Sequence, residues 1–350
     1  MAQENSIMRN ITLIGYTIFA LLVDSANASA ASKNGFDLDG ALVPAEEILS
    51  GGPPKDGIPA IDKPVFVKAS QARSLREDDR VLAITRNGIS KAYPIRIMNW
   101  HEIVNDQFGD DSIAITYCPL CGSGIAFKSD VAGKLLKFGV SGLLYNSDVL
   151  LFDRQTQSLW SQILAKAVSG PMKGANLSAI PITHTSWADW RKRHPDTLVL
   201  TEETGFKRDY TGNPYAGYEQ REETIFPVRF RAKGFHPKEQ VLGLLINGKA
   251  KAYPFVELAK ASGEANDVID GQSILVRYNE THQSAEAFDE RGNPIAGVTL
   301  FWFAWYAFHP QTEIFRVPEK IIEGCNLQHW RGSPGFFGLG SAPMLEIDSW

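Results

Sequence analysis

The chain has 350 residues, of which 44% are hydrophobic and 21% are charged, and its net charge is −5. These proportions are typical of a globular protein with one or two domains. Since no clusters of lysine and arginine interrupt this mildly acidic balance, the composition argues against a nucleic-acid partner and against binding to anionic membranes.

The N-terminus is typical of a secretory signal peptide. Arg9 precedes a 13-residue apolar run, and Ala26 and Ala28 supply small residues at the −3 and −1 positions of a cleavage site. The run is shorter than the roughly 20 residues of a membrane-spanning helix. We therefore predict a signal peptide over residues 1–28, a periplasmic or secreted bacterial protein, and no stable membrane anchor after cleavage. An amphipathic leader or a buried first helix is the alternative.

The first regular element predicted along the chain is a β-hairpin. Residues 29–63 are rich in glycine, proline and aspartate, which predicts an irregular lead-in. Residues 81–86 and 89–93 then read as two strands, and Asn87-Gly88 between them is the strongest short sequence pattern for a hairpin turn.

A helix is predicted after this hairpin, from Pro94 to Asp106. Apolar residues at helical spacing place His101 on its buried face. A strand from Ser112 to Tyr117 then leads directly to Cys118. The sequence therefore predicts that His101 lies near this cysteine.

A second part of the chain has a similar sequence. VLAITRNGISKAYPI begins at Val81 and VLGLLINGKAKAYPF begins at Val241, while SIAITYCPLCGSGIAF from Ser112 corresponds to SILVRYNETHQSAEAF from Ser273. This similarity predicts two diverged copies of one unit, over residues 64–202 and 225–315. Residues 203–224 form the predicted linker, and residues 316–350 form a predicted poorly ordered tail.

The first copy is 46 residues longer than the second, around FGVSGLLYNSDVLLFDRQTQSLWSQ. Its alternating apolar and polar residues predict an insert of two or three strands. The expected fold is therefore β-rich α+β, with two diverged copies packed together and a β-rich insert in the first.

The sharpest local motif is Cys118-Pro-Leu-Cys121, which the second copy replaces with Asn279 and His282 at its ends. Two thiolates at this spacing can bind one metal ion in a tight turn. His101 is the best candidate for a third ligand, and two thiolates with one imidazole suit zinc or copper. We therefore predict that Cys118, Cys121 and His101 bind one copper or zinc ion.

Two other functions remain open for the cysteine pair. It can act as a thiol–disulfide oxidoreductase, although Gly-Ser-Gly after Cys121 is a poor helix start and redox cysteines use a helix N-terminus to lower the thiol pKa. It can also form a structural disulfide in a non-catalytic binding module. The sequence does not decide whether the protein is an enzyme. It has no phosphate-binding loop or dinucleotide fingerprint, so no nucleotide cofactor is expected.

The insert contains six polar or aromatic residues that are candidates to contact a substrate or to support the metal ligands. Some of them can equally form a salt bridge in a turn. The candidates are Tyr145, Asp148, Asp153, Arg154, Trp160 and Gln162.

Several long motifs resemble a bacterial family known as domain of unknown function 3179. They are NWHEIVND, ITYCPLCGSGIAF, HPDT and the insert sequence above, and the resemblance runs from about Pro64 to Phe315. It implies no particular activity. The tail beyond Phe315 departs from the family pattern, so we set Cys325 aside. The positions that match the family motifs are His101, Cys118, Cys121, Asp153, Arg154, Trp160 and Gln162.

Overall fold

A computed structural model describes residues 32–318 of the chain. These residues form four short α-helices and many short strands, with 3₁₀ turns at Ala45–Glu47 and Ala69–Gln71. The helices are α1 Ile95–His101, α2 Trp187–Arg193, α3 Phe255–Lys260 and α4 Trp302–Phe308. The strands are β1 Ser32–Lys33, β2 Phe36–Asp37, β3 Ile48–Ser50, β4 Phe66–Lys68, β5 Arg80–Arg86, β6 Ile89–Pro94, β7 Ile103–Phe108, β8 Asp111–Cys118, β9 Ser123–Lys128, β10 Asp130–Val131, β11 Lys134–Leu135, β12 Phe138–Tyr145, β13 Asp148–Asp153, β14 Leu159–Ser161, β15 Lys166–Ser169, β16 Ala179–Ile180, β17 Thr183–Ser186, β18 Leu198–Leu200, β19 Gln240–Ile246, β20 Lys249–Pro254, β21 Glu264–Ile269, β22 Gln272–Asn279, β23 Ser284–Asp289, β24 Pro294–Ile295, β25 Val298–Phe301 and β26 Glu313–Ile314.

Most strands belong to five sheets of four or five strands each. The remaining strands form two small antiparallel pairs, β1 with β2 and β10 with β11. In order of neighbouring strands, the five are sheet I (β17-β5-β6-β18-β4), sheet II (β16-β9-β8-β7), sheet III (β15-β14-β13-β12-β3), sheet IV (β25-β19-β20-β26) and sheet V (β21-β22-β23-β24).

The five sheets form a five-bladed β-propeller with only 11% helix. The prediction of an α+β fold made of two packed copies is therefore wrong. Each of the two similar stretches divides into two sheets, I with II and IV with V, and the expected insert forms a fifth sheet of its own. The structural unit is therefore one sheet, which forms one blade of the propeller, and not the longer repeated stretch of sequence.

Burial of apolar side chains explains why two separate copies do not form. The largest core cluster includes Phe127 of sheet II, Trp160 of sheet III and Leu300 of sheet IV, all fully buried. β25 also contacts β9 across the boundary between the similar stretches. Because burial of shared apolar surface is the main stabilising term in folding, these sheets depend on one another.

The two Asn-Gly hairpins have the same register. Val81 pairs with Pro94 in β5–β6, and Val241 pairs with Pro254 in β19–β20. In each hairpin the asparagine and glycine have positive φ, as a two-residue hairpin turn requires. The hairpin predictions are confirmed in position, whereas an internal duplication stays a prediction.

The insert contributes more strands than its sequence suggested. It forms β12 to β15, and the lead-in completes its sheet because β3 pairs with β12. Gly142 lies at an irregularity in β12 with a φ of 73°, and its backbone packs against the carbonyl oxygen of Pro53. The lead-in and the insert therefore meet at a residue without a side chain.

The predicted helix after the first hairpin is shorter than its apolar spacing suggested. α1 ends at His101, because Glu102 adopts a left-handed conformation with a φ of 56°. Val104, which was expected on the helix, lies in β7 and is buried there. β-Branched Ile103 and Val104 fit a strand better than the last turn of a helix.

None of the helices described between residues 32 and 318 is long and apolar enough to span a membrane. The predicted signal peptide over residues 1–28 lies outside the described residues, as does nearly all of the predicted tail with Cys325.

Gly142→Ala and Gly88→Ala form a matched pair that tests the contact between the lead-in and the insert. Both glycines have a φ near 75°, so alanine costs about 1 kcal/mol at either position from conformation alone. A Cβ at position 88 meets no atom within 4 Å, whereas a Cβ at position 142 overlaps the Pro53 backbone. We expect Gly142→Ala to lower the free energy of unfolding by about 3 kcal/mol or more. If denaturant unfolding shows that the two variants lose equal free energies of unfolding, the packing of Gly142 against Pro53 is contradicted.

Candidate metal centre

The Cys118–Gly122 loop is a tight turn that joins β8 to β9. Cys118 pairs with Ser123, and the Cys121 amide donates to the Cys118 carbonyl at 3.2 Å. Gly122 has a φ of 61°, and a side chain there would meet the Phe301 ring at 3.0 Å. The Phe301 amide in turn donates to the Cys121 carbonyl at 2.8 Å. Phe301 of sheet IV therefore holds the loop in place through this hydrogen bond and through its ring.

Both cysteines of this loop are buried free thiols. Their Sγ atoms point to the same acceptor, the carbonyl oxygen of Ser147, at 3.8 Å from Cys118 and 3.3 Å from Cys121. Ser147 lies in the turn between β12 and β13 of sheet III. Sheets II and III thus meet at the cysteine pair.

Asp148, the first residue of β13, completes a group of three possible metal ligands. One ligand atom from each of Cys118, Cys121 and Asp148 can be chosen so that all lie within 4.8 Å of one another. The Asp148 side chain is fully buried, and its Oδ2 accepts from the Ile163 amide at 3.1 Å. Its Oδ1 accepts no hydrogen bond from a nitrogen or oxygen donor of the described residues, and the two thiols are close enough to interact with the carboxyl group. The group therefore offers two sulfur atoms and one carboxylate oxygen.

Burial raises the pKa of each acidic group in this region. It raises the pKa of Asp148 from 3.8 to about 7, and that of nearby Glu102 from 4.5 to about 8. The pKa values of both cysteine thiols are also raised, mainly by burial. Charged forms are costly here because the low-dielectric interior does not solvate them.

No lysine or arginine of the described part of the chain forms an ion pair with Asp148 or Glu102. Lys238 is close enough to Cys121 for an electrostatic effect, but its Nζ donates to the carbonyls of Arg221 and Glu223. The region therefore contains acidic groups without a paired counter-charge.

Three buried polar atoms around the cysteine pair lack hydrogen-bond partners. They are Oδ1 of Asp148, Oγ of Ser147 and the hydroxyl of Tyr218, whose pKa is raised by burial and by the nearby cysteines. Unsatisfied buried polar groups are rare, and a bound ion or water molecule is one explanation for them. Their concentration here fits a bound cation.

His101 does not join this group. It is fully buried as predicted, but its Nδ1 lies 2.7 Å from the carbonyl oxygen of Pro59 and its Nε2 lies 2.6 Å from the Tyr210 hydroxyl. Burial lowers the pKa of His101, so the neutral imidazole is favoured. Both ring nitrogens thus have partners away from the thiols.

Gln162 holds the strand that follows the cysteine loop. Its Oε1 accepts from the Ser123 hydroxyl at 2.6 Å, and its Nε2 donates to the Thr116 hydroxyl at 2.8 Å. All three side chains are fully buried. Gln162 therefore joins sheet III to β8 and β9 on both sides of the loop.

The other candidates from the insert lie in local structural contacts. Asp153 accepts from Thr156 and from the Trp160 indole at 3.0 Å, which organises the turn before β14. Arg154 forms a forked ion pair with Asp56 at 2.9 and 3.1 Å. Tyr145 packs edge-on against Phe308, with ring centroids 5.6 Å apart.

Two open cavities of about 530 and 500 Å³ flank the outer side of the loop. Pro119 lines the first cavity and Gly122 lines the second. Tyr215 and Tyr218, from the predicted linker, line the first cavity and interact electrostatically with the thiols. We did not predict from the sequence that these tyrosines lie near the cysteines. The tyrosines of residues 203–224 were the feature that could have indicated it.

The raised pKa of Asp148 predicts a pH dependence of stability in the metal-free protein. At pH values between 3.8 and 7 the unfolded chain loses this proton while the folded protein keeps it, so the free energy of unfolding falls with rising pH. The shift corresponds to about 4 kcal/mol, fully lost above the folded pKa. Asp148→Asn should flatten this decline in denaturant unfolding at pH 5 to 8 with a chelator.

Glu102→Gln is the companion variant for this measurement. The pKa of Glu102 is about 8, so its part of the fall in the free energy of unfolding continues to a pH about one unit higher than the part due to Asp148. Glu102→Gln should remove that part. If the free energy of unfolding changes with pH in the same way in the wild type and both variants, these carboxyl groups are not held protonated in the folded protein.

Comparison of the chain with curated proteins and with solved structures finds no match. The model of the family described as "Protein of unknown function (DUF3179)" matches residues 55–293, which include the cysteine loop and Asp148. The chain therefore belongs to the DUF3179 family.

Proposed function

We propose that this protein binds one zinc or copper ion through Cys118, Cys121 and Asp148. The observation that carries the proposal is that one ligand atom from each of Cys118, Cys121 and fully buried Asp148 lies within 4.8 Å of the others. Two sulfur ligands favour a soft or borderline metal, and a fourth position remains for water or a ligand.

The electrostatics of the region support a cation. Two thiols and two carboxyl groups are costly to ionise there because burial raises their pKa values. A divalent cation supplies the missing positive charge and binds thiolates after displacing their protons. Metal affinity should therefore rise with pH.

Asp148 replaces His101 as the proposed third ligand. The sequence placed His101 near the thiols and grouped Asp148 with the residues that contact a substrate or support the ligands. The hydrogen bonds of His101 to Pro59 and Tyr210 favour a role in fixing the end of α1 instead.

Thiol–disulfide exchange is less well supported. A redox cysteine needs a thiol pKa lowered by a helix N-terminus or a cation, whereas burial raises both pKa values here. The loop also leads into strand β9 and not into a helix.

We further infer export to the periplasm or secretion, from the signal sequence over residues 1–28. A bound metal would then keep the cysteine pair reduced in an oxidising compartment. The mass of the mature protein recovered from a periplasmic extract tests this inference, since cleavage after Ala28 leaves residue 29 at the N-terminus.

Metal titration of the reduced, metal-free protein tests the ligand set. The wild type should bind one equivalent of Zn²⁺ or Cu⁺. Cys118→Ser with Cys121→Ser should lower the affinity by orders of magnitude, because it removes both thiolates. Asp148→Asn should lower it by roughly 10- to 100-fold.

His101→Gln is the control variant for this titration. Its affinity should stay within about threefold of the wild type, provided circular dichroism shows a native fold. A larger loss in His101→Gln than in Asp148→Asn would restore His101 as the ligand. Failure of the reduced wild type to bind either ion would rule out the proposed function.

A further inference from the structure

Arg80 is a half-buried cation at the start of β5. Its Nη1 donates to the carbonyl of His282, and its Nη2 donates to the carbonyls of His184 at 3.2 Å and Gln283 at 2.8 Å. These acceptors belong to β17 and to the turn between β22 and β23. Arg80 therefore joins sheet I to sheet V through neutral groups alone.

The guanidinium of Arg80 retains unused donors. A guanidinium has five N–H groups, and three of those of Arg80 bond to the carbonyls above. No carboxylate in the described residues forms an ion pair with it, although Glu219 and Asp189 interact with it electrostatically from a greater distance. Burial outweighs these interactions and lowers the pKa of Arg80 to about 10.

Arg80 lies on the wall between the two cavities outside the cysteine loop. It lines both of them, as do Tyr117, Ile95 and Glu219. The Arg80 residue is therefore next to open space of about 530 Å³ on one side and 500 Å³ on the other.

Two more polar residues line the second cavity. His184 is 6% exposed, and its buried Nδ1 has no hydrogen-bond partner among residues 32–318. The Tyr117 ring lies edge-on to His184 with centroids 6.3 Å apart, and its hydroxyl bonds to no residue within the described range. We call Arg80, Tyr117 and His184 the Arg80 pocket.

We propose that the Arg80 pocket binds the carboxylate of a small organic anion. A guanidinium fork matches the two oxygens of a carboxylate, and the Tyr117 hydroxyl can donate to the same group. This anion would supply the direct ion-pair partner that Arg80 lacks.

The lining of the second cavity favours an organic anion over inorganic phosphate. Tyr278, Phe255 and Phe301 provide apolar surface for the body of a ligand. Glu219, Glu239 and Glu280 line the same cavity and oppose a doubly charged anion more strongly than a singly charged one. A monocarboxylate with an apolar or aromatic body fits both features.

None of the three residues of this site is a proposed metal ligand, although Tyr117 directly precedes Cys118. Binding is therefore tested on the metal-free protein with a chelator present. If the protein binds no metal, the proposed anion site is not affected. If it binds no anion, the proposed metal site is not affected.

Benzoate, benzyl alcohol and inorganic phosphate are the probes for a calorimetric or NMR titration. Benzoate should bind at least about tenfold more tightly than either of the others, because only benzoate combines one carboxylate with an apolar body. Phosphate binding as tight as that of benzoate, or no benzoate binding by the wild type, would overturn the proposal.

Arg80→Lys and Arg96→Lys form the matched pair of variants. Arg96 lines the first cavity but already has a carboxylate partner in Glu202. Arg80→Lys keeps the charge and loses the fork, so benzoate affinity should fall roughly tenfold, whereas Arg96→Lys should leave it unchanged. Equal affinities in the two variants would contradict a specific role of Arg80.

Tyr117→Phe keeps the proposal testable if Arg80→Lys does not fold. It removes one hydroxyl without changing the ring, and it should weaken benzoate binding by roughly fivefold while binding of benzyl alcohol stays unchanged. An unchanged benzoate affinity in this variant would remove the Arg80 pocket as the site.

Discussion

The carboxyl group of Asp148 is fully buried against two thiols, and no described lysine or arginine pairs with it. Burial of acidic groups without a counter-ion is unfavourable, and their pKa values rise until protonation or a cation relieves the cost. Around Asp148 the protein keeps three unsatisfied polar atoms. In our proposal, a bound cation relieves this cost.

Three sheets stabilise this region by sharing one core. Sheet II carries the cysteines, sheet III carries Asp148 and Gln162, and sheet IV covers the loop with Phe301. Their apolar side chains belong to a single buried cluster. Because a metal centre needs ligands held by rigid elements, the meeting of several blades is a suitable place for one.

The loop between the cysteines also separates two environments. Its thiols face the buried side, while Pro119 and Gly122 face the open cavities. In the described part of the chain, Arg80, which forms no ion pair, lies on the outer side of the loop, and Asp148, an acidic group without an ion pair, lies on the inner side. In our proposals Arg80 binds an anion and Asp148 binds a cation.

Local sequence patterns determined the hairpins and the cysteine loop. Asn87-Gly88 and Asn247-Gly248 set turns whose geometry depends on a few neighbouring residues, and the spacing of Cys118 and Cys121 allows one ion to contact both. Burial of His101 also followed from local spacing, although its hydrogen-bond partners did not.

Only the tertiary structure decided the number of sheets and the third member of the site. β3 joins β12 across more than 90 residues, and the turn at Ser147 brings Asp148 to cysteines about 30 residues earlier. Such pairings depend on which apolar faces are buried together, and a single sequence does not encode them in a local pattern. For this reason the insert forms a blade of its own, and Asp148, not His101, lies beside the thiols.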